Sequence, residues 1–189
     1  MVRAILPGEH RMLRDMLKTL FLTGVCVTAA GLVACSPAFN WREVRPDDTA
    51  LSVLLPCKPD RAQQTVPMGS RPTALTLLGC DAGGAAFAVA VADLGQAGTV
   101  PAVLAQWQAV TLAGIQAANP TTTAMAVPGA LAAPAPVLVR ALGRRPDGSA
   151  VHSHALYFAH GTQVFQVVML ASTVTPEAAD MFFSSVRLK

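Results

Sequence analysis

The stretch Val151–Leu170, VHSHALYFAHGTQVFQVVML, decides the fold. Two apolar runs, Val151–Ala159 and Gln163–Leu170, flank the short break His160-Gly161-Thr162. Runs of this length, rich in Val, Phe and Tyr and split by so short a glycine-containing turn, read as two antiparallel strands of a hairpin. Upstream, a similar arrangement occurs. Thr73–Cys80 leads through the turn Asp81–Gly84 into Ala85–Leu94, which is nearly all apolar, as a central strand would be. Thr49–Pro56 and the weaker run Gln63–Met68 precede these, so the first half of the domain reads as an antiparallel meander.

The period changes at residue 99. Thr99 is placed as an N-cap, Pro101 fits the first turn, and Leu104, Trp107, Thr111 and Ile115 fall on one stripe with Val103 and Val110 beside it. A helix is predicted over about 100–118, stopped by Asn119-Pro120. Short strands are expected over Thr122–Val127 and Val137–Leu142, before a turn in Gly143–Ala150. A second helix starts with Thr175 as N-cap, Pro176 at the first position and Glu177 in the first turn. Ala179, Phe182, Phe183 and Val186 form its apolar stripe. The order is ββββ-α-ββββ-α, with strands in runs. That predicts an α+β fold, a mostly antiparallel sheet packed with two helices.

The chain has 189 residues and a formal net charge of +3. The basic excess is concentrated at the start. Arg3, Arg11, Arg14 and Lys18 precede an uncharged stretch, residues 19–41, whose densest apolar part is Leu20–Ala34. From Cys35 onward ten Lys/Arg face nine Asp/Glu, a net of +1. Such a chain has no basic stripe to neutralise phosphates, so nucleic acid is not an expected partner. Arg140, Arg144 and Arg145 flank the segment RRPDGS and read as a solvated turn.

A basic segment, an apolar run of about 7–15 residues and small residues at its end describe a secretory signal. A spanning helix needs about 20 apolar residues, and this run of fifteen carries Thr23, Gly24, Thr28 and Gly31. An uncleaved membrane anchor is the alternative reading. Both place the residues after Cys35 on the far side of the membrane. Met12 and Met16 are alternative starts for the same signal.

At the end of the run, Leu32-Val33-Ala34-Cys35 resembles the lipobox of bacterial lipoproteins. The resemblance implies cleavage between Ala34 and Cys35 and acylation of Cys35, making it the first residue of a mature protein held to the membrane by lipid. More than one acyl chain is needed for stable anchoring. Ser36 rather than Asp after the cysteine leans toward the outer membrane by the same resemblance. The expected organisation is a signal peptide over 1–34, a lipid-anchored tether over 35–48 and one domain over 49–189, facing the periplasm. Cys26 would leave with the signal and Cys35 would be lipidated, so Cys57 and Cys80 are the pair left in an oxidising compartment. A disulfide between them is predicted, with two separate buried thiols as the alternative.

The segments FNWREVR, LPCKPD, GCDAGG and FFSSVRL are similar to uncharacterised proteobacterial lipoproteins with a PsbP-like domain. That similarity implies an α/β/α sandwich and an accessory role beside an envelope protein partner. Its motifs are structural, so it implies no catalytic residue and no cofactor. GxSxG, HExxH, P-loop and GxGxxG patterns are absent, which favours a non-enzymatic binding or accessory domain. The competing reading is an envelope enzyme or metal-binding protein built on His152 and His154, which share one strand face. His160 stands too far along the strand to join them, and the plain reading of all three is incidental surface histidine. Trp107 is expected in the core. Trp41 is expected either on the first strand or among headgroups. Asp60, Asp81, Asp147 and Asp180 are read as turn or helix-surface aspartates.

Overall fold

The computed structural model describes residues 38–189. In chain order these form β1 (Arg42–Val44), β2 (Leu51–Leu55), β3 (Asp60–Met68), β4 (Arg71–Ala82), β5 (Ala85–Asp93), α1 (Val100–Gly114), β6 (Ala118–Ala124), β7 (Val137–Arg144), β8 (Ala150–His160), β9 (Gln163–Ala171), α2 (Pro176–Ser184) and β10 (Arg187–Leu188). The fold is α+β, as the pattern of runs indicated. Among the described residues no helix is long and apolar enough to cross a membrane. Ala34 and Cys35, and with them the expected signal segment, lie outside the described residues.

Seven strands form one sheet in the order β3-β4-β5-β9-β8-β7-β6, with neighbours antiparallel. The β8–β9 hairpin pairs His160 with Gln163 across Gly161-Thr162, with Gly161 at φ 59°. The β4–β5 hairpin closes on Gly83-Gly84, at φ 58° and 76°. Positive φ at both central residues matches the right-handed twist of the flanking strands and is open to glycine without a Cβ penalty.

The chain leaves β5 in the middle of the sheet and re-enters at the far edge as β6. Four strand spacings separate them, roughly 19 Å. A helix of fifteen residues spans about 22 Å, so α1 covers that distance across one face. Beneath it Leu75, Ala90, Ala92, Ala155, Tyr157, Ala159 and Val164 pack with Val100, Val103 and Leu104. Gln166 donates from Nε2 to the Tyr157 hydroxyl (2.8 Å) and to Thr111 Oγ1 (3.0 Å), which satisfies the polar tips buried under the helix. Trp107 packs edge-on against Tyr157, while Val110 at the end of the stripe is 62% exposed.

The opposite face is sent into a second cluster by the period-two alternation of strand side chains. Phe87, Val89 and Val91 of β5, Leu156 and Phe158 of β8, and Phe165, Val167 and Met169 of β9 all point there. That face is covered by α2 and by a second, three-stranded sheet in the order β1-β2-β10. The first meander therefore holds β3, β4 and β5 but not β2, which leaves the main sheet and lies over it. Both β1 and β10 pair with β2 antiparallel. The described part of the expected tether, residues 38–48, thus joins the fold. Arg42–Val44 pair with Leu55–Val53, Phe39 stacks on Trp41 at 5.7 Å, and both meet Phe87 edge-on.

Element ends differ from expectation in ways the backbone explains. The first helix ends at Gly114, not near 118, because Gln116 adopts φ 49° and Asn119 φ 47°. The strand expected over Thr122–Val127 begins instead at Ala118, and that expected over Val137–Leu142 runs on to Arg144. The Thr99 and Thr175 hydroxyls make no capping bond to their helices. Thr99 Oγ1 donates instead to the Gln96 carbonyl.

Glu43 of β1 gathers the charges of the small sheet. Its carboxylate accepts from Ser52 Oγ (2.6 Å) and Arg45 Nη2 (2.8 Å), with Lys189 Nζ at 3.4 Å and Arg187 at 3.6 Å. The Ser52 hydrogen bond, followed by Arg45, holds its pKa down to about 2 from 4.5. A depressed carboxylate contributes stability above its unfolded pKa and loses it as pH falls through the folded one. Glu43→Gln should therefore lower the melting temperature at pH 6. The gap to the parent should close as pH is taken from about 5 to 2. A gap that stays constant over this range in pH-dependent melting would contradict the assignment.

Candidate functional site: a cleft between the second helix and the main sheet

Strands β7 and β8 present Leu138, Arg140, His154 and Leu156 toward the α2 side of the sheet. The register pairs Leu138 with Leu156 and Arg140 with His154. Helix α2 covers only part of this surface. Between them lies a cleft of about 440 Å³, lined by Met125, Leu138, Arg140, His154, Val174, Ala179, Asp180 and Phe183 among others. This volume lies within the range of small-molecule sites, roughly 300–1,000 Å³, and so does the character of mostly apolar walls with a few polar groups.

The polar groups have distinct positions. Arg140 Nη1 donates to Thr123 Oγ1 (3.2 Å), and that hydroxyl donates onward to the Leu138 carbonyl (3.4 Å). The neighbouring edge strand β6 thus orients the guanidinium. His154 is half-buried, with its ring 6.4 Å from that of Phe183. Burial chiefly, then the charge of Arg140 and the neighbouring His152, pushes its pKa below the ordinary histidine value. Asp180 lies on the exposed side of α2 and lines the helix wall of the cleft.

His152 and His154 share a face, as their spacing required, but among the described residues no group of three His, Cys, Asp or Glu side chains forms that could hold a metal ion. His160 lies at the end of β8, with Nδ1 2.8 Å from the Gly129 carbonyl oxygen. Arg140 and Asp180 were not recognisable as site residues. Arg140 reads as a turn flank in sequence, yet alternation along β7 puts it beside Leu138 on the inner face. The signal that would have found it is the β7–β8 register, counted back from the Arg145–Ser149 turn. The turn itself is as expected: Asp147 Oδ1 accepts from the Ser149 amide and hydroxyl.

Cys57, between β2 and β3, and Cys80 of β4 stand at disulfide distance, Sγ to Sγ 2.07 Å and Cα to Cα 6.0 Å. They link the small sheet to the large one. A hollow of about 530 Å³ beside them is lined by Lys58, Asp60, Arg61 and Asp81 among others. Trp107 and Val110 of α1, with Val66, Met68 and Leu75, border a third, apolar groove on the other face. Of these concavities, the α2 cleft joins an apolar wall to an oriented cation and a half-buried histidine. No family model matches the chain, and comparison with curated proteins finds no match.

Proposed function

We propose that the protein is a lipid-anchored domain of the bacterial cell envelope that binds a ligand or supports an envelope partner, without turning over a substrate. The observation that carries this reading is Leu32-Val33-Ala34-Cys35 at the end of a basic-then-apolar leader. The Cys57–Cys80 pair at disulfide distance supports it, since such bonds persist in oxidising compartments. So does the layering of helix, antiparallel sheet, and small sheet with helix, which suits the PsbP-like resemblance; the accessory role is carried over from it by analogy of fold. On this reading the domain faces the periplasm, with the outer membrane favoured by Ser36.

Metabolic labelling with palmitate tests the anchor. The parent chain should incorporate label, and Cys35→Ser should incorporate none. Equal labelling of the two would reject the lipoprotein reading. Intact mass of the parent then separates the two kinds of anchor, because a cleaved chain begins at an acylated Cys35 and an uncleaved one retains residues 1–34.

A further inference from the structure

We infer that the cleft between α2 and strands β7–β8 binds a compact organic carboxylate, its head on Arg140 beside His154 and its apolar body against Phe183, Leu138 and Met125. This deepens the binding role proposed above and rests on it.

The argument starts from the chemistry of the walls. Leu138, Ala179 and Phe183 are buried, and Met125 and Val174 are partly buried. They therefore offer apolar surface at the bottom and sides of the cleft. Apolar ligand surface gains by leaving water for such a wall. Arg140 supplies a permanent charge with a planar fork of donors. Among the described residues only its Nη1 makes a hydrogen bond, to Thr123, which leaves the other N–H groups of the fork for an acceptor that takes two parallel bonds. A carboxylate has that geometry.

The charge balance favours a monoanion. Arg140 from β7 and His154 from β8 face each other across the strand pair. Asp180 from α2 lines the same cleft, and His152 is the other titratable neighbour on β8. The pairing strand β9 contributes Met169 opposite His154, which carries no charge. A dianion would leave one charge uncompensated beside Asp180, which repels it. With Asp180 already opposing Arg140, one bound carboxylate is balanced once His154 takes a proton, and its charge favours that protonation, which burial and Arg140 otherwise oppose. Binding then takes up a proton.

The test uses the full chain purified in a non-ionic detergent, with 4-phenylbutyrate as probe and 4-phenylbutyramide as its neutral counterpart, measured by calorimetry. The acid should bind about ten-fold or more tightly than the amide, the scale of one charge-assisted hydrogen bond. Arg140→Gln should remove that preference. Asp180→Asn should tighten the acid about two- to three-fold by removing an opposing charge. Affinity for the acid should rise between pH 8 and 5.5, and His154→Gln should flatten this profile. Melting curves check that each variant is folded. Should Arg140→Gln unfold, the acid-to-amide ratio and the Asp180→Asn response still decide. Equal binding of acid and amide, or no binding of either, overturns the proposal. The Cys35→Ser chain should bind the acid as the parent does. Failure of the anchor would thus appear in the label alone, and failure of the ligand in the affinity alone.

Discussion

Phe182→Ala is expected to destabilise the domain by about 3–5 kcal/mol, the range for truncating a buried phenylalanine. The side chain is 0% exposed. Its ring meets Phe87 edge-on at 5.1 Å and Phe183 at 5.1 Å. Phe87 in turn carries Phe39 and Trp41 from the start of the domain. Loss of the Phe182 ring therefore opens a cavity where α2, β5 and the first described residues converge. Domains of this kind have only about 5–15 kcal/mol in total, so the variant should be marginal at 37 °C. Equilibrium urea denaturation measures the effect. A loss below about 1 kcal/mol would mean that the cluster is not packed as described.

The second large effect concerns Cys57 and Cys80. Replacing both by Ala should cost about 3 kcal/mol in the chain-entropy account, given a sequence separation of 23 residues. The closed segment holds all of β3 and most of β4, so without the bond the β2–β3 connection is held to β4 by packing and strand pairing alone. Dithiothreitol should lower the unfolding midpoint of the parent to that of the double variant and leave the variant unchanged. A parent indifferent to reductant would show that no bond is formed.

What was legible in the sequence follows from locality. The β8–β9 hairpin could be read because two apolar runs flank the short break His160-Gly161-Thr162, which the pairing of His160 with Gln163 narrows to Gly161-Thr162. The second helix could be read because Pro176, Glu177 and the Phe182-Phe183 stripe agree. The departure of β2 from the main sheet was not legible. Leu51, Val53 and Leu55 are wholly buried, and a short apolar run looks the same whether it lies inside a sheet or over one. Strand β3 starts three residues before the expected Gln63, because Asp60, Arg61 and Ala62 are exposed and carry no apolar alternation, as an edge strand permits. The helix was drawn too long because Ile115 continues its period, and only the left-handed Gln116 breaks it. The cleft was half legible. His152 and His154 were visible as a pair on one face, whereas Arg140 required a register and Asp180 required knowing which way α2 lies.

The pairing of β2 has a consequence for how such a chain would mature. Strand β2 is bounded on one side by β1, a few residues before it, and on the other by β10, far along the chain. Leu188 faces Leu51, the Lys189 amide donates to the Ala50 carbonyl, and the Leu54 amide donates to Ser185 Oγ. A chain made from its N-terminus delivers β2 long before β10, the strand whose Leu188 pairs with Leu51. Until then β2 has an open edge and an uncovered apolar face, a hazard for pairing with other chains. Such an order calls for protection of β2 by a holding factor until the β10 segment is available, and makes docking of β10 the event that closes the small sheet.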